Sequence, residues 1–103
     1  MTVAISGGAG FLGLHLARHL CDVGEHVRTL DLVPLGSPEL ESAVEEMRGD
    51  VRDPKAVRRL VRGAEVVVHA AAALPIQASR ESIFSINVEG AANVLAAALE
   101  AGV

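Results

Sequence analysis

With 103 residues, half of them hydrophobic, the chain is long enough to bury one core and short enough that a single domain is expected. A formal net charge of −4 argues against general attraction to nucleic acid or to an anionic membrane surface, and the lone Cys21 excludes an internal disulfide, which fits a reducing, cytoplasmic setting. Met1 to Gly10 holds no Lys or Arg, and Arg18 and His19 interrupt the apolar stretch beyond it, so no export signal is read there; no run is expected to reach the roughly 20 apolar residues that cross a bilayer.

The β-branched run TVAIS, residues 2–6, ends at glycines and has the form of a strand buried on both faces. The period then becomes helical: Leu12, Leu16, Leu20 and Val23 make one stripe, His15, Arg18, His19 and Asp22 lie opposite, and Gly24 supplies the stop. EHVRTLDL, residues 25–32, reads as a second strand; Pro34, Gly36 and Pro38 break the next segment into a loop, and AVEEMRGD, residues 43–50, holds a short third strand. In DPKAVRRLVRG, residues 53–63, Asp53 is an N-cap, Pro54 takes the first helical position and Gly63 ends the helix. AEVVVHAA, residues 64–71, is a fourth strand with three consecutive valines, as in a covered parallel sheet. After a loop at AALPIQ, residues 72–77, Ser79 caps a long helix whose apolar face is read as Phe84, Val88, Ala91, Leu95 and Ala98, stopping at Gly102. The order β-α-β-β-α-β-α predicts an α/β layered fold with right-handed crossovers.

The segment SGGAGFLG, residues 6–13, meets two glycine templates at once: Gly8, Gly10 and Gly13 fit G-x-G-x-x-G, and Gly7, Gly10 and Gly13 fit G-x-x-G-x-x-G. A strand that turns directly into a helix leaves the first-turn N–H groups unpaired at the positive end of the helix dipole, and a phosphate placed there satisfies both. Glycine permits the tight turn, leaves no Cβ between those amides and a pyrophosphate, and lets helix and strand pack closely. A glycine-rich turn without a ligand would carry the same pattern, so the glycines alone decide little. Asp31 adds weight, because it stands at the end of the second strand about 20 residues beyond the glycines, where a carboxylate can accept hydrogen bonds from an adenosine ribose.

Together these stretches resemble the N-terminal part of an extended short-chain dehydrogenase/reductase, the family of NAD-dependent epimerases and dehydratases. SGGAGFLG is similar to that family's T-G-x-x-G-x-x-G turn, GDVRD (49–53) to its G-D-[LIV]-x-D segment, HAAA (69–72) to its fourth-strand end and NVEG (87–90) to its N-V-x-G helix segment. Ser6 stands where the family usually has Thr, and Ala91 where Thr often comes after N-V-x-G; neither change removes a backbone contact to phosphate. The resemblance implies a Rossmann-like, doubly wound parallel sheet of about four strands in the order 3-2-1-4, partial relative to the family. It also implies a dinucleotide site in which Gly7, Gly10 and Gly13 form the turn, the Phe11 and Leu12 amides meet the pyrophosphate and Asp31 meets the ribose. Asp50 and the Val51 amide would approach the adenine edge, Ala70, Ala71 and Ala72 the ribose and nicotinamide side, and Asn87 would brace the fourth strand. NAD is the expected cofactor and NADP is disfavoured, since Leu32 and Val33 after Asp31 offer no Arg to a 2′-phosphate.

Other candidates read as structural. His15 and His19 share a helical face but lack the intervening carboxylate of a metal motif, and His69 lies between apolar strand neighbours. Lys55, Arg58, Arg59 and Arg62 make a solvated basic face without interleaved aromatics, Cys21 has no reactive motif, and Ser79, Ser82 and Ser85 offer no nucleophile elbow.

In the resembled family the proton chemistry depends on a Tyr-x-x-x-Lys pair in which the Lys lowers the Tyr pKa. This sequence has no Tyr, and its one Lys, Lys55, belongs to the short helix. The expectation is therefore a truncated NAD(P)-binding domain over residues 1–103, without catalytic residues or metal, the substrate-binding part lying elsewhere in a longer epimerase, dehydratase or dehydrogenase. Its substrate would be a small molecule, a nucleotide sugar or secondary alcohol, with G-G-A-G-F-[IL]-G leaning towards nucleotide sugars. A non-catalytic dinucleotide-sensing module is the competing expectation. No nucleic-acid or membrane partner is expected, and the exposed fourth-strand edge is a candidate for self-association.

Overall fold

A computed structural model describes residues 1–73 and 79–103; the loop expected at 72–77 therefore lies mostly outside the described residues. Four strands, β1 (Thr2–Ser6), β2 (His26–Asp31), β3 (Glu45–Arg48) and β4 (Val66–His69), form one parallel sheet in the order β3-β2-β1-β4. The register pairs Val3 with Val27 and with Val66, and Leu30 with Met47, so the apolar centres of the strands lie side by side. β1 is an internal strand, paired with β2 and β4, and its Val3, Ala4 and Ile5 are buried, as its β-branched run predicts. The doubly wound α/β architecture and strand order agree with the sequence reading.

Helices α1 (Phe11–Asp22), α2 (Pro38–Ala43), α3 (Pro54–Val61), α4 (Arg80–Phe84) and α5 (Gly90–Ala101) cover the two faces. One core layer joins Ala4 and Leu30 to Ala56, Val57, Leu60 and Val61 of α3 and to Val94 and Ala97 of α5. The other joins Val3, Ile5 and Val27 to Ala17 of α1 and Leu40 of α2. Asp53 caps α3 by accepting the Lys55 N–H at 3.0 Å. Arg28, in β2, donates to the carbonyls of Leu60 and Arg62 and pairs with Glu45, which ties the end of α3 to the sheet.

Four expectations are corrected. The segment after β2 is more than a loop: Pro38, expected to break structure, instead opens α2 at its first position, where a missing N–H costs nothing. On α1 the inward residues are Gly13 and Ala17 with Leu16 and Leu20 partly buried, whereas Leu12 and Val23 are exposed; the small residues let the helix lie close to β1, which turns the stripe by part of a turn. On the last helix the inward face is Gly90, Val94 and Ala97, and the face expected inside is turned outward, with Phe84, Val88 and Leu95 exposed. Apolar residues surround this helix, so hydrophobicity alone does not choose a face; Gly90 does, because a Cβ there would meet Val51 Cγ2 at 2.7 Å. Finally, α4, a π turn at Ser85–Glu89 and α5 run on as one helix, Arg80–Ala101, which by length and composition is apolar enough to cross a membrane, contrary to the reading of the sequence. In the fold its inner face packs against α3 and Val51.

Candidate functional site

The glycine turn between β1 and α1 is built from two kinds of glycine. Gly7 has a φ of +77°, and a Cβ on it would meet the Ala71 backbone at 2.6 Å; a Cβ on Gly8 would meet Thr29 Cβ at 2.5 Å, and one on Gly13 would overlap the Gly7 carbonyl. Those three are required by the chain's own packing. Gly10 is different: its nearest neighbour would be Gly7 O at 3.4 Å, an ordinary contact, and it lies exposed at the N-cap of α1, which has no side-chain cap. The one glycine with no internal reason to lack a side chain thus sits where a helix presents uncapped N–H groups, an arrangement that fits a phosphate approaching the backbone.

A cleft of about 220 Å³ opens beside this turn, lined by Gly7, Gly10, Asp31, Asp50, Val51, Ala70, Ala71 and Ala72 from the sequence-predicted set. Phe11 and Leu12 expose their side chains at the first turn of α1, and Gly13 is buried beneath it. The cleft sits at the C-terminal ends of the parallel strands, beside the internal strand β1, from which the chain winds out in both directions, the usual location of ligand sites in open α/β sheets. Leu30, Leu32, Gly49 and Ile86 also line it; Gly49 opens the GDVRD motif, but none of the four was assigned a place in the site from the sequence. Gly49 had a signal in its neighbour Asp50, and Ile86 had none, because its position depends on the π turn.

Asp31 is fixed from both sides. Its Oδ2 accepts the Ala9 N–H at 3.0 Å and its Oδ1 the Val33 N–H at 3.2 Å, while Gly7 N–H donates to Leu30 O and Gly49 N–H to Asp31 O. The carboxylate therefore joins the glycine turn to the end of β2 and keeps acceptor capacity for a further donor. At the other end of the cleft the Arg52 guanidinium forks onto Asp50 and holds its carboxyl below the usual carboxylate range.

The wall after β4 is held by side chains from β1 and the π turn. Ser6 Oγ lies 2.6 Å from His69 Nδ1 and accepts the Ala71 N–H at 3.3 Å, so the buried hydroxyl is satisfied and Ala71 is drawn onto the turn. His69 is exposed at the end of β4, but its partial burial pushes the imidazole down, favouring its neutral form. Asn87 Oδ1 accepts the Ala73 N–H at 2.8 Å and its Nδ2 donates to Ala73 O at 3.1 Å, a two-point brace on the chain just past β4. Asn93, which motif reading did not single out, donates to Val51 O at 3.0 Å and anchors the opposite wall.

Away from the cleft, His15 and His19 are exposed on α1, and Arg58, Arg59 and Arg62 lie on the outer side of α3. Burial, followed by Asp22, pushes the Cys21 thiol up, away from a reactive thiolate. Among the described residues no group of three His, Cys, Asp or Glu side chains could hold a metal ion.

A profile of the 3-beta hydroxysteroid dehydrogenase/isomerase family matches residues 4–103. The chain belongs to that family. Its sheet and glycine turn are those of the short-chain dehydrogenase/reductase superfamily, as the sequence resemblance implied. Among curated relatives, a 3-beta-hydroxysteroid dehydrogenase of Mycolicibacterium neoaurum is 33% identical over 98% of this chain and 29% of its own length. A ceramide reductase of Caulobacter vibrioides is 40% identical over 97% of this chain and 32% of its own length. The crystal structure of a short-chain dehydrogenase/reductase superfamily protein from Agrobacterium tumefaciens with bound NAD superposes with a TM-score of 0.87, at 32% identity, covering 100% of this chain and 30% of that one. The chain thus spans about 30% of the length of these relatives.

Proposed function

We propose that this 3-beta hydroxysteroid dehydrogenase/isomerase family member binds NAD in the cleft, as the dinucleotide-binding portion of an oxidoreductase or epimerase/dehydratase. Gly10 is the observation that carries the reading: its open Cβ direction leaves room where a pyrophosphate meets the uncapped N-terminus of α1. The first-turn amides of Phe11 and Leu12 hold the phosphates, Asp31 accepts from the adenosine ribose, and Leu32, Val51 and Ile86 supply an apolar slot for the base beside Asp50. Ala70, Ala71 and Ala72, fixed by Ser6 and Asn87, form the wall on the nicotinamide side. NAD bound in the Agrobacterium tumefaciens structure supports the choice of cofactor.

When bound, NAD supplies a nicotinamide ring that exchanges hydride with a carbon bearing a hydroxyl or carbonyl group. This chain's residues bind and orient the dinucleotide. With no Tyr and one Lys on α3, they do not supply the family's proton-transfer pair, which we assign to another part of a longer protein. We propose a secondary alcohol or a nucleotide sugar as the substrate class, the former favoured by the hydroxysteroid family match. Among the described residues β4 has no strand on its outer side, and we propose that edge as a surface for self-association, to be read by sedimentation over a concentration series.

The test is calorimetric titration with NAD and NADP. Asp31 meets a 2′-phosphate with like charge, Leu32 and Val33 after it offer no Arg, and Arg48, its register neighbour on β3, is paired with Glu46; losing a charged hydrogen bond costs about 1.5–3 kcal/mol, so NAD is expected to bind roughly tenfold or more tightly. Equal affinities would remove Asp31 from the ribose site.

A further inference from the structure

Val51 is held from two directions by one helix, and the group those holds leave free carries an inference that deepens the dinucleotide reading and rests on it. The Val51 side chain sits over Gly90, where a Cβ would meet its Cγ2 at 2.7 Å, and one turn further along α5 the Asn93 Nδ2–H donates to Val51 O at 3.0 Å. Cβ and the carbonyl carbon are two of the three heavy-atom substituents of Cα, so holding both also sets the third, the backbone nitrogen. Val51 is 6% exposed and lines the cleft, and among the described residues its N–H has no acceptor. A backbone donor in so buried a residue calls for a partner, and the cleft is the space beside it from which one can come.

With phosphates at the glycine turn and ribose at Asp31, the base falls between Leu32, Val51 and Ile86. We propose that Asn93 is a positioning residue for the base. It is not part of the cleft lining and touches no ligand; it acts by holding Val51 O, which keeps the Val51 N–H turned to the base. The nicotinamide half of the dinucleotide, at Ala70, Ala71 and Ala72, has no share in this contact. The hold can be removed without emptying the site. Leu is close to Asn in size and has no donor, and Asp has the shape of Asn but donates only when its carboxyl is protonated.

NMR titrations of wild type, Asn93→Leu and Asn93→Asp with NAD and with nicotinamide mononucleotide, which lacks the adenosine half, test this. Asn93→Leu is expected to bind NAD about three- to tenfold more weakly, the scale of one neutral hydrogen bond, and nicotinamide mononucleotide within about twofold of wild type. Asn93→Asp should lose as much at about pH 7.5 and recover towards wild type as the pH falls to about 5, because a protonated carboxyl donates to Val51 O again; the Asn93→Leu ratio should stay level. The charged groups of the turn, of α3 and of the helix itself, Asp50, Arg52, Asp53, Arg58 and Glu89 among them, are common to all three chains and cancel in the ratio to wild type. With nicotinamide mononucleotide neither the loss nor the recovery is expected. A folded Asn93→Leu that binds NAD as wild type does, or that weakens both ligands equally, overturns the proposal alone. If neither variant folds, wild type decides: its Asn93 side-chain N–H resonance should shift on saturation with NAD and stay in place with nicotinamide mononucleotide, and equal shifts overturn the assignment. Failure of wild type to bind NAD at all overturns the dinucleotide reading and this assignment with it.

Discussion

Four glycines within seven positions look interchangeable in the sequence, but the room beside them differs: a Cβ would strike the Ala71 backbone at Gly7, Thr29 at Gly8 and the Gly7 carbonyl at Gly13, and only at Gly10 would it meet that carbonyl at an ordinary distance. A Cβ on Gly13 would overlap the Gly7 carbonyl, which belongs to the backbone and cannot step aside, so Gly13→Ala is expected to destabilise by about 1–3 kcal/mol, the usual cost of forcing atoms into a packed site. Gly10→Ala, meeting only Gly7 O at 3.4 Å, should melt close to wild type. Thermal denaturation of the two variants checks the division; equal losses would mean that Gly10 too is held by internal packing. The spacing was legible in the sequence, whereas this division was not, because it depends on what lies across the turn. His69 gives the pH dependence at this scale. Its pKa is lowered from 6.5 by burial, so the unfolded chain binds the extra proton more readily than the fold; the stabilising contribution is present above about pH 6.5 and is lost as pH falls through the lowered native value. Melting temperatures tracked from pH 7.5 downwards should fall more for wild type than for His69→Asn, which keeps an acceptor for Ser6 and does not titrate; parallel curves would separate the stability from this ring.

Helix faces show where sequence reading fails at the element scale. The strands, the capped α3 and the glycine-ended helices were readable from local signals, since alternation, caps and stops are properties of neighbours in the chain. The face of α5 was not, because its apolar residues surround the axis, and the choice is made by Gly90 against Val51 and by Asn93 bonding to Val51 O. Two leucines make the contrast measurable. Leu60 is fully buried between α3 and the sheet, and Leu60→Ala should cost about 2–5 kcal/mol. Leu95 is 63% exposed, and Leu95→Ala should stay within about 0.5 kcal/mol of wild type. Urea denaturation reads both; a large loss at Leu95 would mean that the outward face of α5 is covered in solution. The π turn preceding α5 was equally invisible in the sequence, yet it brings Ile86 to the cleft and Asn87 to Ala73.

At the scale of the whole molecule, the arrangement converges on one place. The ends of β1, β2 and β4, the start of α1, the turn after β3 and the π turn all meet at the cleft, each fixed there by a backbone or side-chain hydrogen bond. A second groove between α3 and α5, lined by Arg58, Val61, Arg62, Gly63, Ala97, Glu100 and Ala101, lies apart from the strand ends and shares none of these residues. The central claim is that NAD occupies the first of these sites with its pyrophosphate at the uncapped start of α1. The most direct measurement is an amide-resolved NMR titration of the chain with NAD, repeated with Gly10→Val. The account predicts saturable shifts at Gly7 to Gly13, Asp31, Val51 and Ala70 to Ala72, little change at Arg58 to Gly63, and loss of the response in a folded Gly10→Val variant. Shifts confined to the α3–α5 groove, or an undiminished response in Gly10→Val, would contradict it.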